Sequence, residues 1–220
     1  EIFDEAGLPA GVLNLVTGSG GIVGNEIVNN PRVKSISFTG GVDAGVDVYT
    51  NAAKLLKPVE LELGGKNPQI IMDDANIDLA IDGVLFGAFG SQGQRCTATS
   101  RLIVHDKVYD EVMEKLVKRT KSLKIGNPVD PKSNMGPVSC KQQLETFLKY
   151  VEIGKKEGAK LIYGGKQLTE GQYNKGFFVQ PTIFEAKHGM RITKEEIFAP
   201  VLSVIKIKNF DEALKVANDV

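Results

Sequence analysis

The chain contains 220 residues, a length that fits one large domain or two small ones and excludes both a peptide hormone and a large multidomain machine. Hydrophobic residues make up 42 % and charged residues 25 %, as in ordinary globular domains, which excludes collagen-like and low-complexity disordered classes. Lys and Arg number 27, as do Asp and Glu, so no basic surplus is available to hold phosphate backbones or anionic lipid. We therefore expect neither a nucleic acid nor a membrane as a partner.

The cysteine content indicates a reducing compartment. Only Cys96 and Cys140 are present, and their flanking residues differ too much to resemble a disulfide framework. The longest apolar stretch, residues 81–89, is interrupted by Asp82 and by glycines and falls short of the roughly 20 residues of a membrane span. The first residues lack the basic and apolar regions of a signal peptide and resemble the middle of a helix. We expect two free thiols and a cytoplasmic location.

Short β-rich runs alternate with longer segments of helical period, which predicts an α/β fold on a largely parallel sheet. Strands are predicted near residues 13–16, 33–38, 59–63, 69–72, 101–105, 160–163 and 201–207. Helices are predicted over residues 108–122 and 141–156, where apolar side chains keep to one side, and a further helical run covers residues 42–55. Asp211 is expected to cap a last helix.

Three glycine clusters lie in the first third of the chain, at residues 17–21, 38–41 and 62–66. The second lies between a predicted strand and a predicted helix, where backbone N–H groups and a helix N-terminus can face a phosphate. None has the spacing G-x-G-x-x-G of a dinucleotide fingerprint, because the first cluster has valine, Val23, at its third position. Both nucleotide binding and simple tight turns between strand and helix remain open from these residues alone.

Two residues, Cys96 and Glu62, are candidates for a catalytic role. Cys96 lies in a polar loop, unlike a core cysteine, and Arg95 beside it would favour the reactive thiolate form. Glu60 and Glu62 share one face of a predicted strand, and the two glycines after Glu62 suggest that its carboxylate approaches another segment or a ligand. An inert cysteine and a solvated acidic face are the alternatives.

Other chemistries have little support. His105 and His188 are the only histidines, and neither has the spacing of a metal ligand, so no metal site is predicted. No histidine lies near a candidate serine nucleophile, so a serine triad has no local support. Cys140 precedes a predicted helix and is interpreted as structural.

Four motifs together resemble the aldehyde dehydrogenase superfamily, and they occur in that family's order. They are Phe38-Thr39-Gly40, Glu62-Leu63-Gly64-Gly65-Lys66-Asn67-Pro68, Gly93-Gln94-Arg95-Cys96 with Ser100-Arg101, and Glu195-Glu196-Ile197-Phe198-Ala199-Pro200-Val201. The resemblance covers nearly the whole chain, and the separation of Glu62 from Cys96 is similar to the family's spacing of acid and nucleophile. The residues around Cys96 most resemble those of semialdehyde-oxidising members.

The resemblance implies a fold and a reaction. Residues 1–63 would be the C-terminal part of a Rossmann-type cofactor-binding domain, and residues 64–220 an α/β catalytic domain, truncated at its C-terminus. An aldehyde would be oxidised to a carboxylic acid with NAD or NADP. Cys96 would attack the aldehyde carbon, its backbone N–H would help to hold the oxyanion, and Glu62 would activate the water that hydrolyses the thioester.

The resemblance also implies contacts with cofactor and substrate. Those to the cofactor would come from Gly40 and Gly41 near the pyrophosphate, Leu63 and Gly64 near the carboxamide, Glu196 at the nicotinamide ribose and Phe198 beside the ring. Arg95 and Thr97 flank the nucleophile and are expected to line the substrate pocket. Arg95 suits a substrate carboxylate, although a solvated or salt-bridged arginine is the alternative.

Two residues depart from the family pattern. Gly41 stands where the family usually has serine, so a hydroxyl for the phosphate is lost. Ala199 stands where it usually has glycine, and we expect its methyl group to restrict the loop that presents Phe198 if that position needs a positive φ.

Family members are about twice as long, so the chain is expected to be an internal fragment that associates readily and does not turn over alone. The parent enzyme is expected to be a homo-oligomer that acts on a small-molecule aldehyde. One alternative is a structural or interaction protein, which would need neither Cys96 nor Glu62. Another is a cysteine esterase, which would be recognised by ester hydrolysis without a nicotinamide cofactor.

Overall fold

The computed structural model describes residues 1–220, which divide into two compact units, Glu1–Gly64 and Gly65–Val220. Both units are α/β, as predicted, and parallel pairing dominates their sheets. None of the helices combines the length and the hydropathy that crossing a membrane requires. Nowhere do three His, Cys, Asp or Glu side chains come together as ligands for a metal ion.

The first unit is built around one strand–helix–strand motif. Its elements are α1 (Ile2–Glu5), a π-helical turn (Gly20–Gly24), α2 (Asn25–Asn29), β1 (Ile36–Gly40), α3 (Val42–Ala53) and β2 (Val59–Leu63). β1 and β2 pair in parallel, with Thr39 opposite Glu62 and Gly40 opposite Leu63. The buried Lys57 ammonium donates to the carbonyl groups of Val28 and Asn30 at 2.6 and 2.7 Å, which fastens the end of α2 to the chain after α3.

The strand predicted over residues 13–16 is wrong. That stretch forms turns and irregular backbone, and Leu13, Leu15 and Val16 are exposed. A strand needs a neighbour for its backbone hydrogen bonds, and the two strands of this unit pair only with each other. The strand predicted over residues 33–38 is present but shifted to Ile36–Gly40, and the helix predicted as far as residue 55 ends at Ala53.

The second unit has a five-stranded sheet in the order β3-β4-β7-β6-β5, in which only β5 is antiparallel to its neighbour. Its strands are β3 (Pro68–Ile71), β4 (Arg101–His105), β5 (Lys160–Tyr163), β6 (Thr182–Glu185) and β7 (Val201–Ile207). Its helices are α4 (Ile77–Phe89), α5 (Tyr109–Lys121), α6 (Lys141–Lys156), α7 (Arg191–Lys194) and α8 (Phe210–Asn218). β4 lies between two parallel neighbours and is buried along its whole length.

Helices cover both faces of this sheet. Leu102 and Val104 pack on one face with α4 and α5, whereas Ile103 points to the other face and packs with α8. Helix α6 packs through Phe147 against Phe184 of β6. The continuous apolar sequence of β4 follows from this burial on both faces.

Three local expectations are corrected in this unit. Strand β6 was not predicted, because four residues after a proline give little periodic signal. The helix predicted from residue 108 begins at Tyr109, after a short 3₁₀ turn over Asp106–Val108. Asn209 rather than Asp211 caps α8, because its side-chain oxygen accepts from the N–H of Glu212 at 2.9 Å.

Candidate active site

Two loops of the second unit lead into neighbouring strands. The cysteine loop, residues 90–100, runs from α4 into β4, and the glutamate loop, residues 195–200, runs from α7 into β7. Because β4 and β7 are adjacent and parallel, both loops lie at the same edge of the sheet. The N–H of Ser203 donates to the carbonyl of Ser100 at 3.1 Å just inside that edge.

Gly93 is the point at which the two loops touch. Its φ is +66°, and a side-chain Cβ there would overlap the backbone carbonyl of Ala199. Glycine is therefore needed both for the backbone conformation and for the close approach. Gln92, just before it, also has a positive φ of 56°.

The glutamate loop is held from behind by α6. The Gln143 side-chain amide donates to the carbonyls of Ile197 and Phe198 at 3.0 and 2.8 Å. Phe198 has the left-handed φ of 56°, and the residue is 40 % exposed. This conformation is strained for a residue with a side chain, so the two hydrogen bonds help to keep it.

Ala199 does not take the positive φ at which its methyl group would restrict the loop. Phe198 has the positive φ, while Ala199 is a buried residue of ordinary φ whose carbonyl lies against Gly93. The conformational free energy that a non-glycine residue costs at positive φ therefore arises at Phe198 and not at Ala199.

The loops enclose a small cleft, with Glu196 on one side and Arg95 on the other. Its lining includes Gly65, Gly93, Arg95, Ala98, Glu196 and Phe198. One carboxylate oxygen of Glu196 accepts from the N–H of Gly65 at 3.4 Å. Cys96 is a free, exposed cysteine between Arg95 and Ala98 in the chain. The structure thus brings Arg95, Glu196 and Phe198 to one place, beside the segment that carries Cys96.

The two residues predicted to line a substrate pocket differ in position. The Arg95 guanidinium lies over the Phe86 ring, 5.0 Å from its centroid, and its Nε has no hydrogen-bond partner. Arg95 is therefore neither fully solvated nor paired with a carboxylate. Thr97 is exposed and is not part of the cleft lining.

Residues 65–67 lead into β3 beside the cleft, and the middle one, Lys66, is buried. Lys66 is only 5 % exposed and its ammonium has no hydrogen-bond partner. Burial, and then the charge of Arg101, lower its pKa to about 7, although Glu196 and Glu195 oppose the shift. The fully buried Arg101 donates to the carbonyl of Lys66 through Nε and Nη2.

The remaining predicted site residues lie in the first unit, at the carboxyl end of its two strands. Gly40 ends β1 opposite Leu63, and Gly41 precedes the first turn of α3, whose N–H groups lack partners within the helix. Glu62 is exposed on β2 and shares its face with Glu60, as the alternation predicted. Gly64 is the last residue of this unit.

Cys140 is the second exposed thiol. It immediately precedes α6, and the backbone N–H of Gln143, followed by the Ser139 side chain, lowers the pKa of the Cys140 thiol. The N–H of Ser139 in turn donates to the Gln94 side chain of the cysteine loop at 3.0 Å.

Sequence reasoning missed Asn67, Arg101 and Gln143 as supports of this site. An arginine opening an otherwise apolar strand was the one available signal, since a buried arginine needs several acceptors. Asn67 and Gln143 act on loops far away in the chain, so nothing in their neighbouring residues marks them.

Comparison with known proteins agrees with this geometry. Residues 1–220 match the model of the aldehyde dehydrogenase family. The chain belongs to the aldehyde dehydrogenase family. Among curated relatives, α-ketoglutaric semialdehyde dehydrogenase of Bacillus subtilis (strain 168) is 47 % identical over 219 residues, which are 99 % of this chain and 45 % of the relative. The 1-pyrroline-5-carboxylate dehydrogenase of Geobacillus sp. (strain WCH70) is 46 % identical over 226 residues, covering 100 % of this chain and 43 % of the relative.

Solved structures of the family have the same fold. HpcC from Thermus thermophilus superposes with a TM-score of 0.95 at 41 % identity, over 99 % of this chain and 43 % of that one. Betaine aldehyde dehydrogenase from Staphylococcus aureus in complex with NAD+ gives a TM-score of 0.95 at 38 % identity, with the same coverage of 99 % and 43 %. The chain thus spans less than half the length of the relatives that it matches.

Proposed function

We propose that the protein oxidises an aldehyde to a carboxylic acid with a nicotinamide cofactor, using Cys96 as the nucleophile and Glu62 as the general base. The observation that carries the proposal is the convergence of the cysteine and glutamate loops on one cleft in the second unit. Family membership and relatives named as semialdehyde and 1-pyrroline-5-carboxylate dehydrogenases support it.

The residues present fit a nicotinamide cofactor. The Glu196 carboxylate can accept hydrogen bonds from ribose hydroxyls, and the half-exposed ring of Phe198 offers a flat apolar surface to the nicotinamide. In the first unit, Gly40 and Gly41 leave backbone N–H groups at the start of α3 for a pyrophosphate, and Leu63 and Gly64 offer backbone contacts. When bound, the cofactor supplies the acceptor for the hydride. NAD is favoured over NADP because solved relatives are complexes with NAD+.

Cys96 carries the covalent chemistry. Its sulfur attacks the carbonyl carbon to form a thiohemiacetal, and its own backbone N–H stabilises the developing oxyanion. Loss of hydride from that carbon leaves a thioester on Cys96. The exposure of this cysteine leaves its sulfur free to meet a substrate.

Glu62 completes the cycle. Its carboxylate takes a proton from the water that attacks the thioester carbon, which releases the carboxylic acid and regenerates Cys96. The exposed carboxylate on β2 fits a group that must serve a transient water rather than a permanent partner.

The substrate proposed is a semialdehyde that carries a carboxylate, with Arg95 and Thr97 among its contacts. The names of both relatives denote molecules with a carboxyl group. Arg95 lines the cleft and forms no ion pair with a carboxylate of the chain, which leaves its charge for a substrate carboxylate.

We also propose the roles of the two domains, the cellular location and the oligomeric state. Residues 1–63 form the end of a cofactor-binding domain and residues 64–220 a catalytic domain. The enzyme acts in the cytoplasm, where Cys96 and Cys140 stay reduced. It works as a homo-oligomer.

The proposal is tested by single-turnover reduction of NAD+ and of NADP+, with the chain in excess over a panel of semialdehydes and simple aldehydes. We expect reduced cofactor to form with the unsubstituted chain and not with Cys96→Ala. Glu62→Gln is expected to form reduced cofactor at an undiminished rate but to release no carboxylic acid, because hydride loss precedes hydrolysis. Reduction that survives Cys96→Ala would overturn the proposal.

A further inference from the structure

The side chain of Asn67 makes the only side-chain hydrogen bonds to the backbone of residues 96–98. Its Nδ2 donates to the carbonyl of Cys96 itself at 2.5 Å and to the carbonyl of Ala98 at 3.1 Å. Neither carbonyl accepts any other hydrogen bond in the structure. The two bonds therefore fix the peptide group before Thr97 and the peptide group after Ala98.

The backbone of Asn67 holds the end of the same loop. Its carbonyl accepts from the N–H groups of Ser100 and Arg101, both at 3.1 Å, and from the Ser100 hydroxyl at 3.3 Å. These bonds persist whatever side chain stands at position 67. A substitution there consequently removes the hold on Cys96 while leaving the entry into β4 in place.

The orientation of the Cys96 carbonyl matters for the nucleophile. Rotation about the Cα–C bond of Cys96 moves this carbonyl relative to the Cα–Cβ bond that carries the sulfur and to the Cys96 N–H. The N–H of Ala98 donates to the carbonyl of Arg95 at 3.0 Å and closes a turn around Cys96 and Thr97, and the bond from Asn67 is the one direct hold on the Cys96 carbonyl itself. A displacement of about 1 Å at a reacting atom can reduce a rate on the order of a hundredfold.

We propose that Asn67 is a positioning residue, whose carboxamide sets the direction of the Cys96 sulfur and N–H for attack on a carbonyl carbon. This inference rests on the proposed role of Cys96 as the nucleophile. Asn67 itself touches no reacting atom. Its effect is on the rate of covalent attack and not on the binding of the carbonyl compound.

The carboxamide can be varied without changing its size. Asn67→Asp keeps the shape but turns a carboxylate oxygen towards two carbonyl oxygens, so attraction becomes repulsion. Asn67→Ser retains one shorter donor, and Asn67→Ala retains none. The expected order of Cys96 reactivity is parent, then Ser, then Ala, with Asp at or below Ala.

The test is acylation by p-nitrophenyl acetate, which needs no cofactor. The Cys96 sulfur bonds to the acetyl carbon, the carbon–oxygen bond to p-nitrophenolate breaks, and the thiol proton goes to solvent. All variants carry Cys140→Ser, so that the second exposed thiol does not contribute. The p-nitrophenolate burst is measured against ester concentration, which separates the maximal acylation rate from the half-saturating concentration.

Asn67→Ala is expected to lower the maximal acylation rate about 10- to 100-fold with an unchanged half-saturating concentration. Asn67→Ser should recover part of that rate. The matched control is Asn76→Ala, which removes the cap bond that the N–H of Leu79 donates to the Asn76 side chain and lowers the urea midpoint without touching the cysteine loop. It should acylate at the parent rate.

The outcomes distinguish the two proposals. If Asn67→Ala acylates at the rate of the unsubstituted chain while Cys96→Ala shows no burst, positioning by Asn67 is wrong and the nucleophile stands. If the burst is absent from the parent or persists in Cys96→Ala, the nucleophile is wrong and the inference about Asn67 falls with it. An equal rate loss in Asn76→Ala would show that general destabilisation, and not orientation, causes the effect.

Discussion

Replacing Arg101 by methionine tests how the second unit holds its site together. The Arg101 guanidinium is fully buried and has no carboxylate partner. It donates to the Lys66 carbonyl at 2.8 and 2.6 Å, to that of Val216 at 2.7 Å and to that of Ala217 at 2.8 Å. It thereby joins Lys66, which lies just before β3, to the end of α8.

The magnitude follows from the acceptors that methionine would leave behind. Three carbonyl groups lose their donor, and a buried unsatisfied acceptor costs about 1 kcal/mol at the low end. Loss of the buried charge itself offsets part of this, because desolvation already lowers the pKa of Arg101. We expect Arg101→Met to reduce the free energy of unfolding by about 3 kcal/mol, a large fraction of the roughly 5–15 kcal/mol typical of domains.

Urea denaturation followed by circular dichroism measures the effect. With a slope of about 2 kcal/mol per M, the midpoint should fall by about 1 to 2 M. The matched control is Arg119→Met, which removes a partly exposed pair with Asp82 and should cost at most about 1 kcal/mol. Equal midpoints for the two variants would refute the reasoning, because Arg101 would then contribute no more than a surface arginine.

Three further predictions concern pH, strain and loop order. The folded Lys66 has a pKa of about 7 against 10.5 for the free side chain, so between these values the unfolded chain binds the proton and the folded chain does not. The free energy of unfolding should therefore rise with pH, by at most about 1.4 kcal/mol per pH unit. Urea titrations at several pH values should show a flatter rise for Lys66→Met, and the same dependence on pH in both proteins would contradict the reasoning. Leu56 is 92 % exposed and strained at a φ of 55°, so Leu56→Gly should raise the free energy of unfolding by roughly 0.5 to 1 kcal/mol. Its thermal midpoint should rise accordingly, and a lowered midpoint would argue against strain. Gln143→Ala should speed hydrogen exchange in the glutamate loop about tenfold by mass spectrometry, whereas exposed Gln142→Ala should not; equal exchange in both would show that Gln143 does not hold the loop.

Elements with a strong local signal were predictable. Strands over residues 59–63, 101–105, 160–163 and 201–207 and the helix over residues 141–156 have the predicted bounds. Each has either apolar alternation, a continuous buried run or an amphipathic stripe, and tertiary packing in this fold agrees with those local preferences.

The errors have a common cause. The apolar residues 13–16 look like a strand, but the first unit offers them no pairing partner. Strand β6 was missed because its four residues become a strand only through pairing with β5 and β7. Sheet order is a property of the whole unit, and no local window contains it.

The residues of the candidate site were predictable from the sequence, but the residues that hold its loops in place were not. The motif around Glu196 and Phe198 and the one around Arg95 were recognised from the sequence, and the structure places them in one cleft. The bonds from Asn67 to Cys96 and from Gln143 to Phe198 span 29 and 55 residues, so they depend on the order of the strands.

The most direct test of the proposed mechanism is to trap the acyl group on the enzyme. Glu62→Gln is incubated with a semialdehyde and NAD+, digested, and analysed by mass spectrometry of the peptides that contain Cys96 and Cys140. The mechanism predicts a stable acyl adduct on Cys96 that requires both aldehyde and NAD+ and is absent from Cys96→Ala. No adduct on Cys96, or one that forms equally without NAD+ or on Cys140, would contradict it.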